Sequence, residues 1–290
     1  MPHYLKKEIP MRYFRILCVV IGSVFLFGCF QTDTVIRIKP DGSGVIEETF
    51  LLSNSFLESF QELSKGFAGD DNDTKNEAKT EKQDPVQGMI KDAQSREKQF
   101  GPDVKFVSAI PLKTETMSGY KAIYAFKDIN TLKVNQNPGN KTKKPGAGEE
   151  NPAKEENILF KFVKGPVSTL TVTMPKNKEG KEVEVPKGEV QKKGEADPKA
   201  AEMAKTFLKD MGIRIALEID GTILKTNATY RKKSELTIVD LNFGKLIENK
   251  NVFEKVIAAD PKTIEEAKEL IKGIEGLKME MANPIVVDFK

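Results

Sequence analysis

From Ile16 to Phe27 the chain is apolar apart from Ser23, and this run decides how much of the sequence is left to fold. A helix that crosses a bilayer needs about 20 apolar residues, and the run supplies roughly a dozen. Arg12 and Arg15 stand just ahead of it, with Lys6 and Lys7 further upstream. A basic start followed by an apolar stretch of about 7–15 residues is the pattern of a secretory signal peptide. Residues 1–28 are therefore read as a signal. Met11 makes the better start, because a complete signal begins there and Pro10 ends any helix before it. The competing readings are a buried helix and an ordinary signal cut elsewhere.

The run closes on Leu26-Phe27-Gly28-Cys29, which resembles the lipobox of bacterial lipoproteins. There a small residue precedes a cysteine that is acylated and becomes the new N-terminus. The resemblance implies lipidation at Cys29, with acyl chains such as palmitate, and a lipidated tether over residues 29–33. It also implies an extracytoplasmic protein held by N-terminal acyl chains on a bacterial membrane, either the outer membrane or the periplasmic face of the inner one.

Removing the signal changes what chemistry is available. Of 46 basic and 43 acidic side chains, Lys6, Lys7, Arg12, Arg15 and Glu8 precede Cys29, so the remainder is formally neutral. The basic pI belongs to the signal, and bulk charge gives no case for nucleic-acid binding. The single histidine, His3, and Cys18 also fall in the signal. Without an imidazole, neither a Ser/His/Asp nor a Cys/His arrangement can form, and a zinc site of the usual His/Cys type lacks ligands. With one cysteine left, no disulfide framework exists. No catalytic residue, metal or cofactor is expected, and the chain is read as a non-enzyme.

Residues 34–290 read as one α+β domain. Thr34 to Ser53 alternates as a hairpin: Ile36 and Ile38 share a face, Asp41-Gly42-Ser43-Gly44 forms the turn, and Ile46, Glu48, Phe50 and Leu52 share the face of the return strand. A phosphate-cradling loop would need a Lys-Ser/Thr ending, which "DGSG" lacks. Phe56, Phe60, Leu63 and Phe67 recur at helical spacing behind Ser53 and Asn54 as candidate caps. This stripe reads first as core, with a lipid-contacting surface as the alternative. A polar segment near 68–85 reads as a mobile loop. Its "DDNDTKNE" puts Lys75 at a ligand position and lacks the glycine a calcium loop needs.

Val86 to Phe100 predicts a second helix, and Val104 to Leu112 and Gly119 to Phe126 predict two strands. A disordered insertion near 130–157 precedes a hairpin within 158–175, and another excursion follows near 176–196. Asp197-Pro198 starts a helix that Gly212 closes. Ile213, Ile215, Leu217 and Ile219 then share a face opposite Arg214, Ala216 and Glu218, a half-solvated antiparallel pattern. Short helices at 244–247 and 252–258, a longer one over 261–274 and a final strand complete the chain. The expected fold class is α+β, a mainly antiparallel sheet of hairpins packed with several helices.

At Asp220-Gly221, Thr226-Asn227-Ala228, and Leu236-Thr237-Ile238 leading to Leu241-Asn242-Phe243, the chain resembles the LppM-like envelope lipoprotein domain. The "VIRIKPDGSGVIEE" hairpin is similar too. The resemblance implies a membrane-tethered α+β module of the cell envelope, and lipid or glycolipid binding as a class. Three functions follow in order of weight: a binding module for a lipid or an envelope protein, a structural or interaction component without a small ligand, and an enzyme. The expected partners are the membrane, through the acyl chains, and a lipid or envelope-protein ligand, with no nucleic acid.

The lipidation reading is directly testable. Each buried methylene contributes about 0.8 kcal/mol, and stable anchoring takes more than one acyl chain. Replacing Cys29 by Ser should therefore move the protein out of the detergent phase or leave it unprocessed. A processed Ser variant that partitions like wild type would refute the assignment.

Overall fold

The structure, a computed structural model, describes residues 30–67, 84–135, 157–175, 209–249, 251–252 and 264–290. The expected signal and Cys29, most of the three polar excursions, and the helices expected over 197–208 and 253–258 lie outside the described residues.

Strands dominate. The larger sheet is built from β1 (Phe30–Ile38), β2 (Gly44–Ser53), β3 (Lys105–Lys113), β4 (Met117–Phe126), β8 (Gly212–Ile219), β10 (Arg231–Lys232), β11 (Glu235–Asn242) and β12 (Leu277–Met279). Its order is β10-β11-β8-β1-β2-β4-β3, with β12 also on β11. The smaller sheet comprises β5 (Lys133–Asn135), β6 (Asn157–Val163), β7 (Ser168–Thr173), β9 (Ile223–Thr226) and β13 (Ile285–Phe289), in the order β5-β6-β7-β13-β9. All its pairings are antiparallel.

Two expectations change in the larger sheet. The sheet is mixed, because β1 pairs in parallel with β8, Gln31 through Ile38 lying along Gly212 through Ile219. Residues 30–33 are not a tether: Phe30 pairs with Leu52 and Asp33 with Thr49. Gln31 and Asp33 sit on the outer face, where Asp33 accepts from Arg214 at 2.8 Å and Arg214 also reaches Glu235 at 2.7 Å. On the same face Arg37 bridges Glu47 and Glu218, and Lys121 joins Glu47. Lys121 and then Arg37 hold the Glu47 carboxyl below its ordinary range by donating to it.

The inner face is apolar. Ile36, Ile46, Leu217 and Tyr124 are sealed from solvent, each aliphatic side chain contributing about 1.5–3 kcal/mol by burial. One core runs from this face into the smaller sheet, through Ile158, Leu170, Val172, Val287 and Phe289. The sheets meet at the β1–β2 turn. Gly42 takes φ +86°, and a Cβ there would lie 2.7 Å from the Phe162 ring, so glycine is required both for the turn and for the contact. Asp41 accepts from the backbone and hydroxyl of Ser43, and Ile129 donates its N–H to the Gly42 carbonyl.

At the other edge, among the described residues, β3 pairs with β4 alone. Its register shifts between Phe106 and Ser108, Pro111 removes a donor, and Val107 and Ile110 are each 57% exposed.

Among the described residues helices are few, fewer than the expected "several". The helix α1 (Asn54–Phe67) is capped by Ser53, whose hydroxyl accepts from Phe56 N. Asn54 instead links α1 to the β3–β4 turn, donating to Glu115 O and accepting from Ser118. Of the stripe expected on α1 only Phe56 is described, half-buried like its neighbour Leu57; the side chains of Phe60, Leu63 and Phe67 lie outside the description. The single helix expected over 86–100 is two: α2 (Pro85–Ser95), capped by Asp84, and α3 (Glu97–Phe100), with Arg96 between them. Short helices α4 (Phe243–Glu248) and α5 (Ile264–Ile271) follow later.

The insertion expected near 130–157 starts later and ends earlier. Asp128 caps a 3-10 turn at Ile129–Thr131, Ile129, Leu132 and Val134 are buried, and β5 pairs with β6 from Asn157. Buried apolar residues among the asparagines and lysines fix this stretch to the smaller sheet.

The Thr226-Asn227-Ala228 stretch is a structural joint. Asn227 brackets β13 by donating to Pro284 O and accepting from Val286 N. Glu280, 0% exposed, accepts from the N–H groups of Thr229, Tyr230 and Ala282 and from the Thr229 hydroxyl. Orphaning a buried donor costs about 1–3 kcal/mol. Glu280→Ala should therefore lower stability by about 3 kcal/mol or more, and Glu280→Gln by less. Chemical denaturation measures both, and an unchanged midpoint for the Ala variant would contradict the assignment.

Candidate functional site

The alternation of β2 puts Ile46, Glu48, Phe50 and Leu52 on the inner face. The register sets Thr34 of β1 and Ala122 of β4 beside Glu48, with Thr32 and Tyr120 beside Phe50. A carboxylate thus stands in an apolar row, and it is 1% exposed. An isolated buried charge is prohibitively costly, and the compensation comes from the break between α2 and α3. Arg96 donates through Nη2 to Glu48 Oε1 at 2.5 Å and through Nη1 to the Tyr120 hydroxyl at 2.6 Å. The Tyr124 hydroxyl donates to the Ala93 carbonyl at 2.8 Å, and Glu97 accepts from Phe106 N at 2.9 Å, fixing α3 to the β3 edge.

Burial acts to lower the Arg96 pKa, but the Glu48 charge outweighs it and the guanidinium is held above its ordinary range. Burial, and then the Glu48 carboxylate, push both the Tyr120 and Tyr124 phenols upward. The cluster therefore consists of a guanidinium locked to a carboxylate beside two neutral phenols. Among the described residues Glu48 Oε2 and Arg96 Nε meet no hydrogen-bond partner of good geometry, although the Tyr120 phenol stands close enough to the Glu48 carboxylate for a weak one. Buried polar groups in folded proteins are nearly always paired, and these two atoms, both shut off from solvent, are exceptions.

An aromatic run leads from this spot to the surface. Tyr120 packs on Phe50 with centroids 5.9 Å apart, and Phe50 stacks on Phe30 at 6.4 Å. On the other side Tyr124 meets Phe100 at 4.9 Å and Phe106 at 5.8 Å. The inner face is sealed towards the smaller sheet, whereas Phe30, Thr32, Phe50, Leu52, Ile213 and Leu241 at its opposite end are partly exposed. A buried polar pair is thus continued by an apolar strip that reaches solvent.

The one site residue read from the sequence, Cys29, lies outside the described residues and is joined by a peptide bond to Phe30, the first residue of the strip. The sequence reading did not single out the Glu48–Arg96 pair. The signal was present in the alternation, where an acid occupies an apolar row; its partner, 48 positions away, left no local trace. Among the described residues no group of three His, Cys, Asp or Glu side chains is placed to hold a metal ion, and no helix is long and apolar enough to cross a membrane.

The phenols set an alkaline limit. Both fold with pKa values raised above the ordinary 10.0. Their contribution to stability is therefore complete below pH 10 and is lost as pH rises towards the folded-state values. The melting temperature should decline above about pH 10, with a shallower slope in Tyr120→Phe. Identical slopes in the two proteins would show that this phenol is not the group responsible.

No family model matches the chain, and no curated protein matches it. Among solved structures it is similar to the NMR structure of the folded domain of Mycobacterium tuberculosis LppM, at a TM-score of 0.29 and 8% identity, over 72% of this chain and 81% of that one.

Proposed function

We propose that the protein is an extracytoplasmic lipoprotein, anchored by acylated Cys29, whose larger sheet holds a lipid or similar amphiphile without transforming it. The observation that carries the reading is the pair of buried atoms without a partner among the described residues, Glu48 Oε2 and Arg96 Nε, at the inner end of the Phe30–Phe50–Tyr120 run. The polar end of the ligand would complete the hydrogen bonding of the ion pair, and its chain would lie over Phe50, Leu52, Ile213 and Leu241. Stability alone gives little reason for the pair, because a buried ion pair is often no better than apolar residues of the same volume.

A second reading, a protein-interaction component of the envelope, draws on the smaller sheet. Its outer face exposes Leu159 and Val163 on β6, with Val167 in the following turn.

Mass spectrometry of lipids extracted from a soluble form beginning at Phe30 tests the first reading, with a recurrent bound species as the expected result. Arg96→Met should cost about 3–5 kcal/mol by stranding the Glu48 charge. The double variant Glu48→Leu/Arg96→Met should recover most of that loss while no longer retaining the lipid. A double variant that keeps the lipid at wild-type level, or a wild-type protein free of lipid, would refute the site.

A further inference from the structure

The strand register collects one end of the larger sheet around Phe30. Phe30 lies beside Leu52, and Gln31 beside both Leu51 and Gly212. Ser53 lies beside Met117, and Asn242 beside Gly212. The β2–α1 junction, the β3–β4 turn, the start of β8 and the β11–α4 junction therefore share this end. The smaller sheet is at the other end, against the turn at Gly42. The nine residues of β1 separate the two ends by about 30 Å.

Cys29 is one peptide bond from Phe30, and consecutive Cα atoms are about 3.8 Å apart. Because β1 is already paired at Phe30, no spacer separates a lipid on Cys29 from the folded sheet. The acyl chains must enter the bilayer within a residue's reach of this end. The side chains here fit such a surface. Phe30, Leu52, Phe56, Leu57, Met211, Phe243 and Ile274 are partly exposed apolar groups, and the exposed charges around them are of both signs: Lys113 and Lys209, Lys245 paired with Glu275, Lys272 paired with Glu269, and the carboxylates of Glu58 and Glu115. Aromatic and aliphatic groups bordered by lysines, whose long stems carry the charge out to water, suit a surface that sits in the headgroup region of a zwitterionic bilayer.

We propose that this end of the sheet, with Phe30 and the first turn of α1 at Phe56 and Leu57, rests in the interfacial layer of the bilayer that carries the anchor. The inference rests on acylation at Cys29. Phe30 is also the outer end of the aromatic run, so the amphiphile site opens into the membrane plane. Its occupant is a lipid of the same leaflet, which reaches Phe50 sideways without crossing water. The smaller sheet and the Asp41–Ser43 turn project away from the bilayer.

The chain contains no tryptophan, so single-tryptophan variants report position without background. Phe56→Trp and Leu57→Trp mark the proposed contact. Lys164→Trp marks the far end, where Lys164 is exposed and lies near enough to Asp41 to help hold its carboxyl low. Each variant is purified in its lipidated form and reconstituted into phosphatidylcholine vesicles containing acyl-brominated phosphatidylcholine. The expected result is strong quenching and a blue-shifted emission at position 56 or 57, with neither at 164. Equal quenching at both ends, or none at 56 and 57, overturns the proposal. The mass of the N-terminal peptide from the same preparation reports acylation separately. An unmodified Cys29 refutes the anchor, whereas an acylated Cys29 with unquenched 56 and 57 refutes only the orientation. Using two positions on α1 guards against one variant failing to fold.

Discussion

The pairing of β1 with β8 is the constraint on which the larger sheet depends. On one side of it stands the meander β1-β2-β4-β3, and on the other β8-β11-β12. Each has an open edge until the parallel ladder from Gln31 to Ile38 joins them. Strands β5, β6 and β7 of the smaller sheet and all three polar excursions lie within the long connection this ladder closes, while β9 and β13 come after it. Closure entropy grows slowly, by about 0.6 kcal/mol for each doubling of length. The chain can therefore carry long polar segments inside the connection at little thermodynamic cost, provided the ladder itself is strong. Its strength comes from both faces: Ile36 and Leu217 sealed on one side, and the Asp33–Arg214–Glu235 and Glu218–Arg37–Glu47 bridges on the other.

The Glu48–Arg96 pair holds α2 and α3 to the sheet by a different logic. A hydrophobic contact would hold them at least as well. The pair adds fixed hydrogen-bonding directions in an otherwise apolar setting, and the neutral phenols of Tyr120 and Tyr124 keep the surroundings free of further charge. In the proposed site such a setting would distinguish a ligand with a polar end from a pure hydrocarbon, because unpaired polar atoms in a low-dielectric site are costly to leave unmet.

The local elements were legible because alternation and turn chemistry are local. Ile36 and Ile38, the Asp41–Gly44 turn and the Ser53 cap each follow from a few adjacent residues. The parallel pairing was not legible, because Arg37, Arg214 and Glu218 look solvent-facing whether a strand is central or at an edge. The tether reading failed at residues 30–33 for the same reason: Asp33 looks like linker until Arg214, 181 positions later, is placed beside it. In 129–135 the polar composition concealed Ile129, Leu132 and Val134. For the candidate site, Cys29 was visible as a motif and Glu48 as a break in a pattern, whereas Arg96 became relevant only once α2 was laid on the sheet.

The interrupted edge of β3 has a consequence for a protein confined to a surface. In the lipid-anchored, upright arrangement proposed above, copies on one bilayer would share a common vertical axis, and their sheet edges would meet side by side far more often than in three dimensions. A straight open strand in that setting would zip to its neighbour's. The register shift after Phe106 and the missing donor at Pro111 deny a neighbour the continuous ladder it would need, and Lys105 and Lys113 place like charges at both ends of the strand. On that proposal two-dimensional crowding would be tolerable, and neighbouring molecules would remain free to diffuse past one another.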